Sequence, residues 1–80
     1  MSESEIHCAE IAVEVTKANG GEITFGEYDM AMMNRPYFAP INWIAGWGTG
    51  RLKQNQNKMC AFAAVKLGLL KQTAIGYALA

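Results

Sequence analysis

Few residues in this chain are equipped for covalent or metal chemistry, and their spacing decides against most of it. His7, Glu10 and Glu14 fall at three- and four-residue steps, which puts them on one side of a helix. One histidine with two solvent-facing carboxylates is a poor zinc set, so the spacing reads as a solvated polar stripe. Cys8 and Cys60 are the only thiols. Both sit in apolar runs and are expected to be buried free cysteines of an intracellular protein, with pairing as the alternative. There is no second histidine, no nucleophile beside a base and no carboxylate pair suited to a cleft. Catalytic residues, metal and cofactors are therefore expected to be absent, and the chain is read as a non-enzyme. Gly46-Trp47-Gly48-Thr49-Gly50-Arg51 puts glycines and a cation ahead of a helix, as phosphate-cradling loops do. Its spacing fits neither the Walker nor the dinucleotide fingerprint, which favours a connector and helix stop.

The remaining chemistry is that of binding. Gln54, Asn55, Gln56 and Asn57 are four consecutive amides followed by Lys58. Amides can bond adenine edges, while Arg51, Lys53 and Lys71 are candidates for phosphate contacts. Tyr37, Phe38, Trp43, Trp47 and Phe62 are candidate interface anchors, with core filling as the alternative for at least two of them. The formal net charge is zero, yet all seven acids lie within residues 1–29, where Lys17 is the sole base. Residues 30–80 hold no acid and the other six bases, Arg35, Arg51, Lys53, Lys58, Lys66 and Lys71. The split predicts either internal neutralisation or a basic surface for phosphates or an acidic partner.

The elements that must position these groups are legible in part. Eighty residues make one domain, 1–80, with a modest core and a stability of roughly 4 to 8 kcal/mol by per-residue scaling. The acidic start is unlike a signal peptide, and the longest apolar run, Met59 to Val65, is too short for a bilayer; a cytoplasmic protein is expected. Residues 3–18 are predicted to form a helix ended by Asn19-Gly20-Gly21. Glu22-Ile23 suits a very short strand. Thr24-Phe25-Gly26-Glu27 is a capping box, with Ile23 and Tyr28 placed as a hydrophobic staple, and predicts a helix from Phe25 to about Met33. Asn34-Arg35-Pro36 ends it. Residues 34–50 carry both prolines and four aromatics, and Pro40 suits the first position of a short helix through Trp47. A third helix is expected to start at Thr49, Gly50 or Arg51 and to stop at Gly68. Cys60, Ala64 and Leu67 share one of its faces, while Phe62 and Val65 lie on another, so cover is needed on two sides. Leu69-Leu70 then reads as a strand, Lys71-Gln72-Thr73 as the turn, and Ile75 to Leu79 as a second strand.

With these residues in place the layout resembles a winged helix-turn-helix domain: mainly α with a small C-terminal β-hairpin. AEIAVEVTKANGGEITFGEYDMAMM is similar to the usual first helix, glycine turn and second helix. NQNKMCAFAAVKLGLLKQTAIGYAL is similar to the third helix and wing, and most of all to the N-terminal winged-helix domain of Mrr-type restriction endonucleases. Asn55, Gly68, Leu69, Leu70, Gly76 and Tyr77 hold the matching places, and the likeness covers about two-thirds of the chain. The aromatic insert 34–50 departs from that pattern, as do Ala61, Phe62 and Val65 on the helix that would enter a groove. The likeness is to the binding domain alone, so cleavage is not expected to carry over.

The resemblance implies a small non-enzymatic protein that binds duplex DNA as a regulator or accessory factor. The alternative is a protein-binding inhibitor module that occludes a surface of a host nucleoprotein complex, as phage-encoded anti-defence proteins of the anti-CRISPR type do. That alternative rests on size and on the aromatic segment. A homodimer is a third use of the same apolar surface. Neither a membrane nor a small-molecule substrate is expected.

Overall fold

The computed structural model describes residues 3–34, 36–37, 50–51 and 54–80, with side chains described over 5–34 and 57–80. Helix α1 spans Glu3–Ala18. It ends because Gly20 and Gly21 take positive φ, at 87° and 96°. Gly21 N–H then reaches the Thr16 carbonyl and Gly20 N–H the Lys17 carbonyl, both at 3.0 Å. This paired closure satisfies carbonyls that a helix end otherwise leaves open. Inside α1 the buried Thr16 hydroxyl donates to the Ala12 carbonyl at 2.8 Å, so no polar atom is stranded there.

Strand β1 (Glu22–Thr24) leads directly into α2 (Phe25–Asn34). The capping box forms as its residue types predict. Thr24 N–H donates to the Glu27 carboxylate at 3.0 Å, and Glu27 N–H to the Thr24 hydroxyl at 3.2 Å. Ile23 and Tyr28, the two staple positions, are both buried in the core.

The next stretch departs from expectation. Gly50–Arg51 does not open the third helix: it is strand β3, paired antiparallel with β2 (Pro36–Tyr37). The two short strands form a neck where the chain leaves and returns, and α3 spans Gln54–Lys66. The proposed short helix from Pro40 to Trp47 lies outside the described residues.

Helix α3 stops as Gly68 does at its expected place, with φ 75°. Leu69 N–H bonds the Ala64 carbonyl at 2.9 Å and Gly68 N–H the Val65 carbonyl at 3.0 Å. Because that closure uses Leu69, the strand expected at Leu69-Leu70 begins one residue later, as β4 (Leu70–Gln72). The turn shifts with it to Thr73–Ile75, where the Thr73 hydroxyl accepts from Gly76 N–H at 2.9 Å. Strand β5 (Gly76–Leu79) returns and lies centrally in an antiparallel sheet of order β1-β5-β4. The approach of β1 to β5 needs glycine at 76. A Cβ there would fall on the Ile23 carbonyl oxygen and lie 2.6 Å from Thr24 Cα.

The described chain is thus mainly helical with a small sheet built by its C-terminal hairpin and β1. One cluster of buried residues joins all three helices to the sheet. Tyr28, Met32 and Leu70 are its largest fully buried members. Both helices bury small side chains, Ala9 and Ala12 on α1 and Ala61 and Ala64 on α3. Small residues let the two backbones approach closely. Cys8 and Cys60 are not free thiols. They form a disulfide with Cα atoms 4.8 Å apart, which corrects the expectation drawn from their apolar settings. Apolar flanks specify burial, and burial at one shared interface is what brings the sulfurs together.

Candidate functional site

Helix α3 turns two unlike faces outward and inward. Cys60, Ala61 and Ala64 are fully buried. Lys58, Phe62 and Lys66, four residues apart, form an exposed stripe, with Met59 beside it. Phe62 is 57 % exposed and Met59 51 %. Leu67, expected to share the buried face of Cys60 and Ala64, is partly exposed at the helix end instead. Lys71 and Gln72 on β4 are exposed as well. The charge split in the sequence carries into the fold by element: the acids lie on α1, β1 and the start of α2, and the described bases other than Lys17 lie on β3, α3 and β4.

Beside the stripe runs a groove of about 390 Å³. Lys58 and Phe62 line it from α3, Phe25, Tyr28 and Asp29 from α2, Gln72 and Tyr77 from the sheet. Tyr77 packs edge-on against both Phe25, at 5.4 Å between ring centroids, and Tyr28, at 5.1 Å. Below the groove the buried Tyr28 hydroxyl donates to the Asn57 carbonyl at 2.6 Å and ties α2 to the first turns of α3. Burial pushes the Tyr28 phenol far above its ordinary range, with Tyr77 and then Asp29 adding to the rise. The Tyr77 phenol is raised too, by burial first and the Asp29 carboxylate second. Both tyrosines are therefore neutral donors at any physiological pH.

The candidate residues fare differently. Lys58 and Lys71 are exposed, as phosphate contacts require. Arg51 sits on β3 and Tyr37 on β2, at the neck. Gln54, Asn55 and Gln56 occupy the first turn of α3. Lys53, Phe38, Trp43 and Trp47 lie outside the described residues. Asn57 is 0 % exposed, and neither atom of its amide has a hydrogen-bond partner among the described residues. That places Asn57 under the helix rather than on its reading face, because it falls three residues before Cys60 on the side packed inward.

Lys66, Met59, Phe25, Asp29 and Gln72 were not singled out as site residues. The four-residue step from Lys58 through Phe62 to Lys66 was a signal open to reading. Phe25, Asp29 and Gln72 join the groove only through the tertiary fold. His7 is half-buried, Glu10 is exposed, and no metal-ligating cluster occurs among the described residues. No helix there is long and apolar enough to cross a membrane. The disulfide removes the free-thiol argument for a reducing compartment. Comparison with known proteins finds no matching family model, no similar curated protein and no similar solved structure.

Proposed function

We propose that the chain is a winged-helix-like protein that binds duplex DNA through α3 and the β4–β5 hairpin, without catalysis. The order helix, strand, helix, helix, hairpin supports this, as does the pairing of β1 with the last strand, a layout that winged helix-turn-helix domains share. The observation that carries it is the exposed Lys58–Phe62–Lys66 stripe on α3 with Lys71 alongside on β4. Lysines at that spacing suit backbone phosphates, and an exposed phenyl ring suits a thymine methyl in the major groove. Gln54, Asn55 and Gln56, in the first turn of α3, are the amides assigned to base edges; buried Asn57 is not among them.

The test is fluorescence anisotropy with random duplex DNA at low and moderate salt. Affinity should fall steeply with salt, by about 0.9 in log–log slope for each phosphate neutralised. Lys53→Ala with Lys58→Ala should abolish binding and flatten that slope. Equal affinity at both salt concentrations would refute the proposal.

One observation favours a second reading. Phe62 and Met59 expose more apolar surface on α3 than a phosphate-binding face requires. In this reading the surface docks on a protein, as in an inhibitor of a host nucleoprotein complex, with Tyr37, Phe38, Trp43 and Trp47 as further anchors. Trp43→Ala or Trp47→Ala should then leave the fold intact and abolish partner capture. If both changes unfold the protein, the tryptophans are core and this reading loses its support.

A further inference from the structure

We propose that the groove between α2, α3 and the sheet receives one unpaired DNA base, so that the protein prefers duplexes carrying an extrahelical nucleotide over fully paired ones. The inference rests on the DNA-binding reading above. Phe25 and Phe62 line the groove from α2 and from α3, exposed at 39 % and 57 %. Phe25 makes its ring contact with Tyr77, and among the described residues no ring contact joins Phe25 to Phe62. Two aromatic walls that do not touch each other, over a floor formed with Tyr77, leave room for a planar ring to stack.

The polar groups suit a base edge. Asp29 is half-buried and, as a carboxylate, only accepts; Lys58 only donates; Gln72 does both. Asp29 and Lys58 line the groove from opposite helices, an acceptor on α2 and a donor on α3. Guanine offers adjacent N–H donors for a carboxylate and a neighbouring carbonyl oxygen for an ammonium, and thymine offers only one donor. Charge complementarity therefore favours guanine over thymine. Lys58 also joins the groove to the basic stripe, so a base taken into the groove leaves its backbone among Lys58, Lys66 and Lys71.

The experiment compares three labelled DNAs by anisotropy in one buffer: a fully paired duplex, the same duplex with a single bulged guanine, and one with a bulged thymine. The bulged-guanine duplex should bind roughly fivefold to a hundredfold tighter than the paired one, the range that stacking one base on an aromatic ring supports. The thymine bulge should gain less. Phe25→Ala and, separately, Asp29→Asn should erase the guanine advantage, read in each variant as the ratio of its bulged-guanine affinity to its paired-duplex affinity. The second variant keeps the test open where the first perturbs packing against Tyr77. Equal affinity for paired and bulged duplexes would overturn this inference and leave the duplex-binding reading standing. No binding to any of the three at low salt would overturn both.

Discussion

The two faces of α3 solve opposite problems. The inward side carries Cys60, Ala61 and Ala64, all fully buried, and Cys60 is bonded there to Cys8 of α1. The side beside α2 and the sheet carries Lys58 and Phe62, both exposed, and α3 is joined to α2 there by the hydrogen bond from Tyr28 to the Asn57 carbonyl. Small side chains bring backbones close and leave no space for a ligand. Large ones hold the neighbouring elements apart and keep a groove between them. One helix thus anchors the fold on one side and exposes lysines and a phenyl ring on the other. Exposed apolar side chains contribute little burial, and the disulfide adds covalent support to the same helix.

The contrast can be broken in order of expected effect. Reducing the disulfide releases a loop with a separation of 52 residues, worth about 4 kcal/mol in the chain-entropy treatment. That is a large share of the stability expected for a chain this size. Urea unfolding with and without dithiothreitol should show a marked drop in midpoint, and an unchanged midpoint would mean that the thiols are not joined in solution. Ala61→Leu should cost about 1 to 3 kcal/mol, because Ala61 is fully buried and three more carbons overpack its surroundings. Full stability in that variant would show the tight face to be looser than described. Tyr28→Phe should cost about 1 kcal/mol by deleting a buried hydrogen bond and leaving the Asn57 carbonyl short of a donor. Phe62→Ala should change stability by less than about 0.5 kcal/mol, since the ring is mostly exposed, yet weaken DNA binding clearly. A large loss of stability there would make Phe62 a packing residue and erase the difference between the faces.

Acid titration sharpens the picture at the start of α2. The Thr24 backbone N–H, then the Thr24 hydroxyl, hold the Glu27 carboxyl below its ordinary range. A depressed carboxylate adds stability above its unfolded-state pKa and loses it as pH falls through the folded value. Thr24→Ala should therefore destabilise by about 1 kcal/mol at neutral pH, and by less once Glu27 is protonated in acid. Urea midpoints across acid pH for both proteins check this, and a pH-independent gap would count against the capping box.

What the sequence made legible was local. The bounds of α1, the capping box, the staple and the left-handed Gly68 each depend on residues within one or two turns, and each signal was present in the chain. Helix α3 starts three to five residues later than expected and strand β4 one residue later, because the β2–β3 neck and the closure at Leu69 took residues that otherwise suit the neighbouring element. The disulfide was not legible. Cys8 and Cys60 lie far apart in sequence, and only the packing of α1 on α3 makes them neighbours. Asn57 was misplaced for a related reason. In a run of four amides nothing marks the one that turns inward, and its side follows from the register of Cys60 and Ala61. Of the groove, Lys58 and Phe62 were singled out from the chain, whereas Phe25, Asp29 and Gln72 come together only once three elements have docked.

The bond from Cys8 to Cys60 also changes what a protease can do to this molecule. Cleavage of any peptide between those two residues leaves a pair of pieces that remain tethered, migrating as one species until a reductant is added. Backbone scission in that span would go unnoticed on a non-reducing gel.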